Sequence, residues 1–309
     1  MKLYIDRKTK TRPAFFPAMK RLLLLFLLIQ VWSFRAYAQT NTDIYLLDLS
    51  KSAGRLTLSN PKNITAKIGY DNQPFFHPSQ PILYYVSMMP DKQTDVWSYN
   101  LKSGAHTQLT HTPDSEFSPT VIPGSAYLSC IVQRASNGDQ DLVKYQLSNP
   151  TNSTVILASQ TTGKVGYQAW TSANELVTFI LGTPATLHFM NLAQGKDTVL
   201  VPDIGRSLHR IPKQNAFSFV QKAGDKWRIR SYNPALNKLA DIAESQPEST
   251  HYNAWTSDGI LLESKDNEIW SFNPRSNQWQ PVQLPGSLPK KNITRLSVRE
   301  NKVAIVLDE

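Results

Sequence analysis

The 309-residue sequence has a single cysteine, Cys130, and therefore no internal disulfide. Sustained helical periodicity is also missing, since few windows place apolar residues at a spacing of about 3.6. There is no Gly-x-Ser-x-Gly, no His-Glu-x-x-His and no Gly-x-x-x-x-Gly-Lys-Ser/Thr segment. These absences exclude a disulfide-held scaffold and a mainly helical fold, and they give no support to a nucleophile-elbow hydrolase, a zinc protease or a P-loop enzyme.

The first 38 residues differ in character from the rest. A basic segment precedes the apolar run LLLLFLLIQVWSF, which begins at Leu22 and is followed by Ala-Tyr-Ala at 36–38. This order predicts a secretory signal peptide over residues 1–38, starting at Met1 or Met19 and cleaved before Gln39. An uncleaved membrane anchor is the alternative. No cysteine lies directly after the apolar run, so we expect no lipoprotein anchor, no transmembrane segment after cleavage, and a periplasmic or secreted chain.

Strong positive charge is largely confined to this leader. The whole sequence has a formal net charge of +9, but eight of its 33 Lys and Arg and one of its 24 acidic residues lie in the first 38, which leaves 25 and 23. No run of like charges follows. Because nucleic-acid binding requires clustered Lys and Arg, we expect no nucleic-acid partner.

Short apolar runs bounded by Gly, Pro, Asn, Asp or Ser fill the remaining sequence, for example ILYYVS, LVTFIL and VAIVLD. Such runs predict many short antiparallel strands. They recur with a period of about 44 residues, four strands to the period, which is the unit of a β-propeller blade. We take one large residue in each unit as the opening of its first strand, and these markers are Phe76, Val121, Trp170, Arg210, Trp255 and Leu296.

Strands from the two ends of the sequence are predicted to form one blade together. The sequence ends at KVAIVLDE, after two strands of a sixth unit, and TDIYLLDLSKSAGRLTLSN near the start supplies the other two. We therefore predict an all-β fold, a six-bladed β-propeller with four antiparallel strands per blade, in which strands from both termini close the last blade. It forms a single domain over residues 39–309. Closure of the last blade removes a sheet edge that would otherwise be exposed, and we expect a monomer.

The best copies of the repeat are QPFFHPSQPILYYVS with TDVWSYNLKSGAHTQLTHT, and YNAWTSDGILLES with EIWSFNP. They resemble the TolB-type propeller repeat, Pro-x-Trp-Ser-Pro-Asp-Gly, an apolar strand, Asp-Ile-Tyr/Trp and a threonine-rich turn. The resemblance covers the whole chain after the leader, although the unit around Arg210 lacks the Trp. It implies a non-enzymatic binding protein with a protein or peptide partner in the cell envelope. The α/β domain that precedes the propeller in TolB is expected to be absent, because blade sequence begins within a few residues of Gln39.

The links that lead into the inner strands are predicted to converge on one mouth of the central channel. Their polar and aromatic side chains form a mixed ring suited to a peptide segment or a small polar ligand, and we expect no catalytic residue among them. The candidate binding residues are Asp71, Asn72, Gln73, Glu116, Tyr167, Arg206, His209, His251, Tyr252, Asn253 and Lys291.

Four of these residues leave a metal-dependent alternative open. Side-chain oxygens of the kind that Ca²⁺ prefers belong to Asp71, Asn72, Glu116 and Asn253. Six-bladed gluconolactonase-type propellers bind a divalent ion in this way, so the alternative is a hydrolase, lactonase or lyase. Arg206 and Lys291 at the same rim argue against a concentrated cation site, and no stretch matches that family's pattern. We therefore expect no cofactor.

Two near-identical segments, GYQAWTSAN and HYNAWTSDG, place Trp170 and Trp255 at the same point of two repeats. Because every repeat has a bulky residue there, we predict that each Trp packs between neighbouring blades and does not form a binding platform. Cys130 lies in an apolar strand and is predicted to be a buried packing residue.

Overall fold

The apolar runs form strands whose two faces are both covered by neighbouring sheets. The computed structural model describes residues 41–308, which form six antiparallel sheets of four strands each. In the second strands the apolar run is nearly continuous, as in Tyr127–Gln133, where five of seven residues are buried. The only helix in this described range is the four-residue α1 (Ser159–Thr162). No helix of the described range is both long and apolar enough to span a bilayer.

The strands, numbered in chain order, fall into six blades. Blade 6 includes the first two strands, β1 (Thr42–Ser52) and β2 (Arg55–Asn63). Blade 1 contains β3 (Asp71–Phe76), β4 (Ile82–Met88), β5 (Thr94–Asn100) and β6 (His106–Gln108). Blade 2 contains β7 (Ser115–Val121), β8 (Tyr127–Gln133), β9 (Gln140–Gln146) and β10 (Asn149–Leu157). Blade 3 contains β11 (Val165–Trp170), β12 (Glu175–Ile180), β13 (Thr186–Asn191) and β14 (Lys196–Pro202).

The second half of the chain repeats this pattern. Blade 4 contains β15 (Ile204–Arg210), β16 (Phe217–Ala223), β17 (Lys226–Asn233) and β18 (Lys238–Glu244). Blade 5 contains β19 (Asn253–Trp255), β20 (Leu261–Lys265), β21 (Glu268–Asn273) and β22 (Gln278–Pro281). Blade 6 is completed by β23 (Ile293–Arg299) and β24 (Lys302–Asp308). The predicted all-β, six-bladed fold is confirmed.

Blade 6 closes the ring with strands from both ends of the described chain. β1 pairs antiparallel with β24, from Thr42 opposite Asp308 to Asp48 opposite Lys302. Each inner strand contacts the next one around the ring, and β23 contacts β3. Blades 3 and 6 consequently face each other across the channel. The signal-peptide prediction, and the expectation that no α/β domain precedes the propeller, concern residues 1–40 and lie outside the described residues.

The repeated tryptophans pack between blades, as predicted. Trp170 lies in a core cluster with residues of blades 2 and 3, and its Nε1 donates a 3.1 Å hydrogen bond to Ser129 Oγ in blade 2. Trp255 packs in the same way between blades 4 and 5, and its Nε1 donates a 2.8 Å hydrogen bond to Ser218 Oγ in blade 4. The prediction that Cys130 is buried is also confirmed.

A buried Asp in the third strand ties that strand to the link after the fourth. In blade 6, Thr65 Oγ1 donates to Asp43 Oδ1 at 3.1 Å, and in blade 1, Thr110 Oγ1 donates to Asp95 Oδ1 at 3.1 Å. Both Asp side chains are almost fully buried, so they need such partners. This contact gives the Asp and the threonine-rich turn of the repeat a structural role.

The residues predicted to open the inner strands instead lie at or near their ends, and that prediction was wrong. The final residues of β3, β7, β11, β15 and β19 are Phe76, Val121, Trp170, Arg210 and Trp255, and Leu296 lies inside β23. The inner strands are hard to recognise in sequence because five of the six carry a register shift against the second strand. β-bulges of this kind break the alternation of apolar and polar residues.

Two of these bulges depend on glycine. A Cβ on Gly205 would lie 2.4 Å from Val220 Cγ2 and 3.1 Å from Trp227 Cζ3, and one on Gly166 would lie 2.7 Å from Leu181 Cδ1. Only a residue without a side chain lets the inner strand approach its neighbours this closely. The residue after each glycine, Tyr167 or Arg206, belongs to the channel cluster described below.

Candidate functional site

Most of the candidate binding residues lie inside the inner strands, not in the links before them. Asp71, Asn72 and Gln73 begin β3, Glu116 lies in β7, Tyr167 in β11, Arg206 and His209 in β15, and Asn253 begins β19. The links hold His251, Tyr252 and Lys291. We call the end of the channel where the inner strands begin the entrance mouth, and the end where they finish the exit mouth.

Three of the acidic and amide residues are buried in the walls of the propeller. Glu116 is fully buried and accepts hydrogen bonds at Oε1 from Thr112 Oγ1 at 2.6 Å and from Tyr145 OH at 3.1 Å. Asn72 Nδ2 donates to Thr42 Oγ1 at 3.3 Å. The backbone N–H of Asn253 donates to Ser207 Oγ at 3.1 Å. These contacts join each residue to its own blade or to a neighbouring one.

Burial changes the ionisation of two carboxyl groups. It raises the pKa of Glu116 to about 7 and that of Asp71 to about 6. Lys67 Nζ lies 3.7 Å from Asp71 Oδ1, which favours the charged form but does not offset the loss of solvation.

Gln73 connects blades 1 and 2. Its Oε1 accepts a hydrogen bond from the backbone N–H of Ser118, and its Nε2 donates to Tyr70 OH at 3.4 Å. Both Gln73 and Ser118 have positive φ, 55° and 51°, and both lie at bulges of their strands. Gln73 therefore holds two irregular inner strands together and positions Tyr70.

The channel is bridged by side chains near the entrance mouth. Arg295 Nη2 in blade 6 donates a 3.0 Å hydrogen bond to Tyr167 OH in blade 3, on the opposite side of the ring. The Arg295 guanidinium carbon also lies 4.3 Å from the ring centroid of Tyr252 and 5.4 Å from that of Tyr167. These distances are those of cation–π contacts.

The bridge belongs to a group that alternates around the ring. Tyrosines come from blades 1, 3 and 5, and arginines come from the third positions of the inner strands of blades 4 and 6. We call this group the channel cluster, and its members are Tyr70, Tyr167, Arg206, Tyr252 and Arg295. Tyr167, Arg206 and Tyr252 are among the predicted binding residues, whereas Tyr70 and Arg295 are not. Arg295 and Arg206 occupy equivalent positions, since each lies four residues before the end of its inner strand, β23 or β15. This equivalence is the signal that could have identified Arg295.

The pKa values of the cluster tyrosines reflect both burial and the charges of the two arginines. Burial would raise the pKa of Tyr167, but the charges of Arg295 and Arg206 outweigh it, so its pKa lies below the usual value. Tyr70 is less affected, and burial raises its pKa to about 12. An arginine lowers the pKa of a neighbouring phenol by stabilising the phenolate. The two arginines therefore place positive charge beside the Tyr167 hydroxyl.

His251 lies beside two serines and a glutamate, the residue types of a hydrolase triad. Their arrangement is not that of a triad. His251 Nδ1 lies 2.8 Å from Ser245 Oγ and 3.0 Å from Ser249 Oγ, and Ser249 Oγ donates to Glu263 Oε1 at 2.7 Å. A catalytic triad places the serine and the acid on different ring nitrogens, whereas both serines and the acid face the same one here. Both serines and Glu263 are buried, and the His251 ring stacks on Trp227 with centroids 4.6 Å apart.

A large cavity opens at the other end of the channel, the exit mouth. It has a volume of about 1080 Å³, and all six blades contribute to its wall. Apolar side chains such as Phe75 and Val298 line it, together with the exposed Arg210 and Lys213. Of the candidate binding residues, His209 lines this cavity, and burial lowers its pKa to about 4. Lys291 is exposed near the entrance mouth.

The oxygen-bearing residues of the metal alternative are distributed over three blades. Asp71 and Asn72 belong to blade 1, Glu116 to blade 2 and Asn253 to blade 5. Glu116 Oε1 accepts two hydrogen bonds, whereas the side-chain amide of Asn253 has no hydrogen-bond partner within residues 41–308. Over residues 41–308, no group of three or more His, Cys, Asp or Glu side chains could hold a metal ion.

Comparison with solved structures places this fold among TolB-like propellers. A putative TolB from Agrobacterium tumefaciens superposes with a TM-score of 0.66 at 8% identity, covering 87% of this chain and 99% of that chain. TolB from Acinetobacter baumannii gives 0.59 at 11% identity, covering 84% and 68%. A luciferin-regenerating enzyme gives 0.55 at 10% identity, covering 79% and 93%. No protein-family model and no curated protein matches the sequence. The described chain is a six-bladed β-propeller whose fold is similar to that of TolB structures, and at these identities the likeness concerns the fold alone.

Proposed function

We propose that this protein is an exported, non-enzymatic binding propeller that holds a segment of a cell-envelope protein or peptide at the exit mouth of its channel. The observation that carries the proposal is the cavity of about 1080 Å³ walled by all six blades. Its volume is at the upper end of the range of about 300–1000 Å³ typical of ligand sites. The signal-peptide prediction and the TolB-like repeat support an envelope location.

The lining indicates what kind of segment fits. Phe75, Leu208 and Val298 offer apolar contact inside, and Arg210 and Lys213 are exposed at the rim. Glu300 is the one acidic residue that lines this cavity. A partner segment with an apolar anchor and acidic flanking residues would match these features. Because the cavity belongs to a closed ring of rigid strands, the propeller itself loses little conformational entropy when the segment binds.

The experiment is affinity capture from the native envelope fraction, followed by measurement of the affinity of the captured protein. Ser297 lines the cavity and is only partly buried, so Ser297→Trp should fill the cavity without disturbing the core. We expect binding to weaken at least tenfold. Ser153→Trp, on the exposed outer strand of blade 2, is the matched control and should bind normally. Equal capture by both variants, with equal stability in urea, would contradict binding at the exit mouth.

A further inference from the structure

The two arginines of the channel cluster lack acidic partners, whereas four other arginines within residues 41–308 have them. Arg134 pairs with both Asp114 and Asp141, at 2.9 and 2.8 Å. By contrast, within residues 41–308 no carboxylate oxygen lies within 4.0 Å of Arg206 or Arg295. Two like charges that face one channel repel each other unless an anion lies between them.

The two guanidinium groups retain free donors. Arg295 uses Nη2 for Tyr167 OH, and the ring of Tyr252 covers one face of its guanidinium. A guanidinium has five N–H donors, so most of those on Arg295 are not used by this bridge. Arg206 lies two blades away around the ring, and its side chain is exposed, so a ligand can reach it from solvent.

We propose that the channel cluster is a binding site for a carboxylate group, which enters at the entrance mouth and is held between Arg206 and Arg295. The planar fork of arginine matches the two oxygens of a carboxylate in a bidentate pair. Tyr252, from the blade between the two arginines, adds a hydroxyl and a flat ring against which the ligand chain packs. The site lies apart from the cavity at the exit mouth and goes beyond the function proposed for that cavity.

The carboxylate has two possible sources in a peptide, its C-terminus or an acidic side chain. Three probes distinguish them: an N-acetylated tetra-alanine with a free C-terminus, the same peptide amidated, and the amidated peptide with Glu in place of one alanine. Binding is measured by titration calorimetry at constant ionic strength. We expect at least one carboxylate peptide to bind and the neutral amide to bind at least tenfold more weakly.

Matched variants test the residues. Arg206→Gln removes one exposed charge from the cluster and should weaken carboxylate binding about tenfold or more, the loss typical of a charged hydrogen-bonding partner. Arg55→Gln removes one exposed charge from the outer strand of blade 6 and should change binding less than twofold. Ser297→Trp should leave carboxylate binding unchanged, which separates this site from the cavity at the exit mouth.

Three results would overturn the proposal. The first is equal binding of the neutral amide, and the second is equal loss in Arg206→Gln and Arg55→Gln. The third is binding of inorganic phosphate with no binding of either carboxylate peptide, which would assign the cluster to phosphate. Since Arg206 is exposed, its substitution should leave the fold intact, and urea unfolding of the variant checks this.

Discussion

Arg295 and Tyr167 join blades 6 and 3 across the central channel through a 3.0 Å hydrogen bond. The two residues lie 128 positions apart in the sequence and on opposite sides of the ring. The bridge crosses the channel near the entrance mouth, whereas the exit mouth opens into a large cavity. The entrance mouth is therefore crossed by arginine and tyrosine side chains, whereas apolar side chains line much of the exit mouth.

Loss of the Tyr167 hydroxyl should cost a modest amount of stability. Tyr167→Phe removes the acceptor of the Arg295 hydrogen bond but keeps the ring, so we expect the free energy of unfolding to fall by about 1 kcal/mol. The value is small because Arg295 is only partly buried and water can replace the phenol. Urea unfolding measures it. Tyr127→Phe is the control, since no hydrogen bond of the Tyr127 hydroxyl occurs within residues 41–308, and its stability should be unchanged.

The tryptophan between blades 4 and 5 should be coupled to its serine partner. Trp255→Phe is expected to lower the free energy of unfolding by about 1–3 kcal/mol, because it removes buried volume and the bond to Ser218 Oγ. A double-mutant cycle with Ser218→Ala should give a coupling energy of about 1 kcal/mol. Trp270 Nε1 donates to the exposed Glu268, so Trp270→Phe should lower the free energy of unfolding by less than about 0.5 kcal/mol. Additive effects at Trp255 and Ser218 would show that the hydrogen bond contributes nothing.

Glu116 should make the protein less stable as pH rises. Its folded-state pKa of about 7 exceeds the unfolded value near 4.5, so the folded protein binds more protons in this interval and stability falls from pH 4.5 to pH 7. Glu116→Gln imitates the protonated acid. We expect this variant to be more stable than the parent at pH 8, by about 1–3 kcal/mol, and to have a flatter stability profile between pH 4.5 and 7. Glu248→Gln, on the surface, should retain the parent profile; an unchanged profile in Glu116→Gln would refute the assignment.

The bulge of β15 should not tolerate a side chain at Gly205. A Cβ there would lie 2.4 Å from Val220, so Gly205→Ala is expected to lower the free energy of unfolding by about 1–3 kcal/mol. To relieve this contact the backbone of β15 must move, which should displace the next residue, Arg206, and weaken carboxylate binding. Gly286→Ala, where a Cβ would meet nothing within 4 Å, should be neutral or slightly stabilising. Thermal unfolding of the two variants side by side gives the comparison.

The blade count and the closure followed from the sequence because the second strands of the blades repeat a strong apolar pattern. Runs such as ILYYVS and AYLSCIV are buried on both faces, and their period is preserved even where the Trp of the repeat is lost, as in blade 4. The positions of Trp170 and Trp255 were predictable for the same reason, since packing between blades requires a bulky residue at each repeat.

The inner strands were placed less well. Their bulges break the alternation of apolar and polar residues, and polar side chains such as Arg206 and Tyr167 face the channel, so neither period nor hydrophobicity marks the strand boundaries. The predicted links before the inner strands therefore included residues that lie inside those strands. The predicted binding residues consequently combined Glu116, which is buried in the blade wall, with Arg206, which faces the channel.

The sequence by itself determined the six-bladed ring, because hydrophobic periodicity and turn residues act locally and recur in every unit. Tertiary structure alone decided which of the polar residues meet. Arg295 and Tyr167 become neighbours only when the ring closes and brings opposite blades together, and the burial of Glu116 depends on packing around Thr112 and Tyr145. Charge proximity and desolvation are properties of that closed ring, so no local pattern in the chain could display them.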